Sequence, residues 1–124
     1  MRTLDQIRAE FAWARVKAVD QSVREKYRNL AKSLPALVMT NGLMQTLAFL
    51  KGKADNRSRN EHDRLLTHIL EWLREAGVIP GQQVGFEGVM NWCVAPERTT
   101  LEYQRATEET QAILRWIRQL ADTL

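Results

Sequence analysis

Residues 60–76 read NEHDRLLTHILEWLREA, and this stretch decides the fold class. Leu65, Leu66, Ile69, Leu70, Leu73 and Ala76 recur at the intervals that bring side chains to one face of an α-helix. Asn60 stands just ahead of the stripe, where its side-chain oxygen can accept a hydrogen bond from a first-turn N–H. Gly77 and Pro80-Gly81 stop the pattern behind it.

The same period runs outward in both directions. Leu4, Ile7, Phe11, Ala14 and Ala18 form an apolar stripe, and the pattern pauses at Asp20-Gln21-Ser22. Ser22 and Glu25 have the spacing of a capping box, after which Val23, Tyr27, Leu30 and Leu34 resume the stripe. Pro35 lacks an N–H and belongs in a first helical turn, so it predicts a restart near Ser33. The new segment, PALVMTNGLMQTLAFLKGK, is expected to end at Gly52, with Gly42 inside it for close packing of a neighbour. Residues 53–60, KADNRSRN, read as a polar, mobile loop. QQVGFEGVMNWCV is ambiguous between a short helix and an extended piece. Pro96 is expected to open a last helix through Leu101, Ala112, Ile113, Trp116, Ile117 and Leu120. No segment sustains the alternation of a strand. The expected fold is all-α, a compact bundle of about five to seven helices.

A chain of 124 residues is long enough for one domain with one core, spanning 1–124. Its 44% hydrophobic and 27% charged residues fit a soluble protein, and no apolar run approaches the roughly 20 residues of a membrane span. With the charged N-terminal segment MRTLDQIRAE, this predicts a cytosolic protein with no membrane partner. Cys93 is the only cysteine and, between Trp92 and Val94, reads as a small buried side chain.

Chemistry is hard to place. His62 and His68 lie six residues apart, not the three or four needed to chelate from one helix. Phosphate-binding, dinucleotide-binding, zinc-protease and serine-hydrolase motifs are missing from the sequence. Glu102, Glu108 and Glu109 have no apolar setting that would tune an acid–base pair. No enzyme, metal or cofactor is expected. Trp13, Trp72, Trp92 and Trp116 fall near apolar stripes and read mostly as core or protein interface, separate from the basic clusters.

Charge is unevenly spread. Residues 1–59 carry 12 Lys and Arg against 5 Asp and Glu, a net of +7; residues 60–124 carry 6 against 10, a net of −4. A basic half suits an anionic partner on one side of the molecule. Arg24, Arg28 and Lys32 recur at i, i+4 and i+8, and Lys17 can extend that face. Like charges so spaced repel, which an anionic partner or a solvated face would accommodate. Lys51, Lys53, Arg57 and Arg59 cluster in and beside the polar loop. These eight residues are the expected surface for a nucleic acid, which the resemblance described next implies is RNA, through phosphate contacts without sequence preference.

The stretch Leu34–Lys53 resembles the signature of the small helical subunit of the type III-B CRISPR Cmr complex. The match lies in Leu34-Pro35, in Asn41-Gly42-Leu43, in Gln45, and in Ala48-Phe49-Leu50 before Lys51. Leu4, Gln6, Arg8, Ala9 and Phe11 agree with the family's opening helix. The resemblance implies a non-catalytic subunit that stacks on other copies of itself and on the other Cmr subunits as an inner filament. It also implies support of the guide RNA and target RNA through backbone contacts, in antiviral defence. Pro35, Gly42, Leu43 and Phe49 read as fold determinants within the motif. Asn41 and Gln45, four apart on one face, can cap, bridge helices or touch RNA. The competing reading is a helical protein–protein adaptor with no nucleic-acid contact.

Overall fold

A computed structural model describes residues 1–81 and 85–124. Among them lie six α-helices: α1 (Leu4–Lys17), α2 (Arg24–Asn41), α3 (Leu43–Lys53), α4 (Glu61–Glu75), α5 (Gly85–Val94) and α6 (Thr100–Ala121). A single 3-10 turn, Gln21–Val23, joins α1 to α2. The described residues contain no strand, and the all-α expectation holds.

Helix α4 is the segment most legible from its sequence. Leu65, Leu66, Ile69, Trp72 and Leu73 are buried, and Asn60 caps it by accepting from Asp63 N at 3.0 Å. Fully burying such side chains contributes about 1.5–3 kcal/mol each. This face meets α2, α3 and α6, while α6 supplies Ala106, Ile113, Leu114 and Ile117 to the same core. Helix α2 runs antiparallel to α6: Arg28 reaches Ala121, Pro35 meets Gln111, and Met44, just past α2, meets Tyr103.

Several expectations change. In α1 the expected stripe is mostly exposed, with Leu4 at 51%; the buried residues are Phe11, Ala12 and Val16, continued by Val19 beyond the helix. Helix α1 is apolar on two faces, and the face bearing Phe11 and Val16 buries the larger ring and branched chain. The pause after α1 is a true break, but Ser22 and Glu25 form no capping box there. Asp20 Oδ1 accepts from both Ser22 N and Ser22 Oγ, at 3.0 and 3.1 Å. Thr3 with Gln6 and Thr99 with Glu102 form the reciprocal boxes instead. The second box starts α6 at Thr100, so Pro96 lies in the preceding turn and Leu101 is 67% exposed.

Pro35 does not restart a helix. It sits inside α2, whose buried row Tyr27, Ala31, Leu34 and Val38 continues past it, and Gln111 Nε2 donates to its carbonyl at 2.9 Å. An interior proline costs about 3 kcal/mol, and packing on both sides offsets it. The break falls at Gly42 instead, with φ 87° and ψ 167°, a region open essentially to glycine alone. A side chain there would find ordinary room, its Cβ 3.8 Å from Tyr103 OH. Backbone conformation, not close packing, is why this residue is glycine. Its carbonyl accepts from Thr46 Oγ1 at 2.8 Å, and Met44 N donates to Tyr103 OH at 3.1 Å, fixing the corner between α2 and α3. Helix α3 then runs past Gly52 to Lys53. Of the ambiguous segment, 85–94 is helix α5, and Gln82, Gln83 and Val84 lie outside the described residues.

Candidate nucleic-acid interface

The row Arg24, Arg28 and Lys32 faces helix ends of its own chain. Arg24 donates from Nε to Val19 O at 3.1 Å and from Nη2 to Lys17 O at 3.2 Å, at the end of α1. Arg28 does the same at the end of α6, with Ala121 O at 3.2 Å and Leu124 O at 2.7 Å. Lys32 Nζ pairs with Asp122 Oδ1 at 3.2 Å. The carbonyl end of a helix carries partial negative charge and unsatisfied acceptors, so cations gather there without an external partner. The repeat that suggested an anionic ligand is thus answered within the fold.

The other expected cations are placed differently. Among the described residues, Lys17, Lys51, Lys53, Arg57 and Arg59 make no side-chain hydrogen bond or ion pair, and all are exposed. Lys17 Nζ lies 5.1 Å from the Trp13 ring and Lys53 Nζ 5.8 Å from the Phe49 ring. Both rings are partly exposed, at 39% and 38%. Phe49 is therefore a surface residue flanked by Lys53 and, edge-on at 5.8 Å, by His62, and not a core determinant. Leu43, by contrast, is fully buried. Aromatic and basic side chains interleave at i, i+4 on α1 and α3, a spacing present in the sequence but not read there.

Residues 55–60 form a built turn. Asp55 Oδ1 accepts from Arg57 N at 3.0 Å; Asn60 Oδ1 accepts from Asp55 N at 3.0 Å, and Asn60 Nδ2 donates to Lys53 O at 3.0 Å. One asparagine thus closes the turn and caps α4, holding Arg57 and Arg59 beside the end of α3. Asn41 and Gln45 are exposed or nearly so, and among the described residues neither side chain bonds within the chain. Capping and helix bridging are not their roles here.

Sequence reasoning missed the arginines of the acidic half. Arg115 and Arg118 flank a groove of about 300 Å³ with Pro35, Met39 and Gln111, between α2 and α6. Summing charge by half of the chain hid them, although Gln111, Arg115 and Arg118 have helical spacing. Arg64, at the start of α4, was hidden the same way.

The remaining titratable groups are structural. His68 is buried 2.8 Å from Tyr27 OH, and burial, then the charges of Arg64 and Arg15, pushes its pKa down to about 3. It stays neutral at physiological pH. Glu109 accepts from Arg8 Nε at 2.7 Å and Trp72 Nε1 at 3.0 Å, which hold its carboxyl below the usual range. Cys93 is buried, and burial raises its thiol to about 11, far from a thiolate nucleophile. Trp72 and Trp92 are buried and Trp116 is half-buried; only Trp13 stands out at the surface. Among the described residues no three His, Cys, Asp or Glu side chains converge as a metal site, and no helix is long and apolar enough to cross a membrane.

The family model described as CRISPR-associated protein (Cas_Cmr5) matches residues 4–124. The chain belongs to the Cmr5 family. It is 31% identical over 126 residues to the CRISPR system Cmr subunit Cmr5 of Thermus thermophilus, covering 100% of this chain and 97% of that one. The Cmr5 subunit of Thermotoga maritima is 32% identical over 69 residues, 56% of this chain and 54% of that one. The fold superposes on the crystal structure of a Cmr5 family protein from Thermus thermophilus with a TM-score of 0.75 at 27% identity, covering 99% and 98% of the two chains.

Proposed function

We propose that this chain is the non-catalytic small subunit of a type III-B CRISPR RNA-targeting ribonucleoprotein, stacking with further copies of itself and with other Cmr subunits and supporting the path of guide and target RNA. The full-length likeness to a Cmr subunit carries this reading. The RNA-facing surface is the edge formed by Lys17, Lys51, Lys53, Arg57 and Arg59, whose charges are not consumed inside the fold. Arg24, Arg28 and Lys32 support that edge by fixing the ends of α1 and α6 and contribute field rather than direct contacts. The protein works in the cytosol with no cofactor.

The exposed apolar side chains of α1, Leu4 and Ile7 on one side and Trp13 on another, favour a second reading, an adaptor that binds only protein. Affinity purification of the tagged chain from its host separates the two. Recovery of a defined set of larger proteins with short RNAs of uniform length supports the ribonucleoprotein. The same proteins without RNA would support the adaptor, and recovery of the chain alone would contradict both.

A further inference from the structure

We propose that the cleft between the 3-10 turn and the 55–60 turn binds one phosphodiester group of an RNA strand; the source of that phosphate, though not the site itself, rests on the RNA-supporting role above. The cleft has a volume of about 230 Å³. Asp20, Ser22 and Val23 line one side, and Ser58, Arg59 and Arg64 the other. It joins two regions that the sequence keeps apart, the break after α1 and the basic turn before α4.

Its donors are only partly committed. Among the described residues the Arg59 guanidinium donates to no protein group, while the Ser58 hydroxyl is turned to Asp55. Arg64 gives one nitrogen to Asp63 Oδ2 at 3.3 Å, while its Nε is shut away from solvent with no acceptor. A buried guanidinium N–H without an acceptor is costly, and an oxyanion in the cleft would reorganise Arg64 toward it. The one acid in the lining is already engaged: Asp20 takes the Ser22 N–H and hydroxyl, and these, with the charges of Arg24 and Arg59, keep it ionised. Guanidinium forks such as those of Arg59 and Arg64 match the geometry of a phosphodiester's oxygens. The Arg59 backbone is held at φ 53° by a turn pinned through Asp55 and Asn60, so binding need order only its side chain. Arg57, in the same turn, would follow a neighbouring phosphate.

The test follows the arginine Nε–H resonances while inorganic phosphate is added to the full chain. The Arg59 and Arg64 signals should shift and saturate, while those of Arg115 and Arg118, in the α2–α6 groove, barely move. Equal movement of all four would mean general screening and overturn the site. In the RNA-loaded complex, Arg59→Gln should flatten the dependence of log affinity on log salt by about 0.7, the loss of one single-strand phosphate contact. RNA binding with an unchanged slope in Arg59→Gln would overturn the cleft and leave the ribonucleoprotein role standing. Saturation by phosphate in a chain whose complex holds no RNA would overturn the phosphodiester assignment and that role together, leaving only an oxyanion site.

Discussion

Two basic regions of similar composition are paired very differently within the fold. On α2, Arg24, Arg28 and Lys32 turn inward to helix ends and to Asp122, within 2.7–3.2 Å of their partners. At the junction of α3 and α4, Lys51, Lys53, Arg57 and Arg59 make no side-chain hydrogen bond or ion pair among the described residues, although Arg59 lies across a cleft from Asp20. The regular spacing of the first group looks like a ligand-binding face, yet it is the irregular second group whose side chains stay unpaired among the described residues. Lys51 and Lys53 also lie in the last turn of a helix, so nearness to a helix terminus does not separate the groups; a carbonyl or carboxylate within reach of the side chain does.

The corner that sets the two regions apart is the first place to break the comparison. Gly42→Ala should destabilise the fold by about 2 kcal/mol, because alanine must adopt a backbone conformation reserved for glycine. Urea denaturation would read this directly, and an unchanged midpoint would mean the corner relaxes freely. Arg28→Met should cost about 1.5 kcal/mol through the carbonyls of Ala121 and Leu124 that lose a charged donor. Lys53→Met, the matched change in the second region, should stay within about 0.5 kcal/mol. Equal effects would erase the distinction between the regions.

A smaller effect sharpens the anchored class. Glu109 has its pKa depressed in the folded state, chiefly by the hydrogen bond from Arg8 and then by that from Trp72. Its contribution is therefore fully present above the unfolded carboxylate value, about 4.3, and is lost as pH falls through the depressed folded value. Glu109→Gln should remove part of the stability at pH 7, on the order of 1 kcal/mol, and flatten its decline below about pH 4. A decline of unchanged steepness would assign acid sensitivity to other carboxylates.

How much of this was legible follows from what each signal measures. Periodicity found α4, because its apolar residues occupy one face only, and it misled in α1, where Leu4 and Ile7 share a stripe with Phe11 while the core takes Ala12 and Val16. Proline and glycine were read with their roles exchanged: Pro35 is tolerated because packing continues past it, and Gly42 breaks the chain because of its φ. Neither outcome is set by local sequence alone. The site was half legible. The eight cations could be named, but which of them faced helix ends depended on α2 lying antiparallel to α6, and the cleft needed Arg64 and Asp20 to meet across the fold.

The central claim is best tested by the salt dependence of RNA affinity in the assembled complex, compared for two triple variants. One carries Arg24→Gln, Arg28→Gln and Lys32→Gln; the other carries Lys51→Gln, Lys53→Gln and Arg57→Gln. The α3–α4 variant should lose up to about 0.7 in slope per contact removed while keeping its thermal midpoint, and the α2 variant should keep the slope and unfold at lower temperature. The reverse, with the slope lost from α2 and untouched at the α3–α4 junction, would contradict the account.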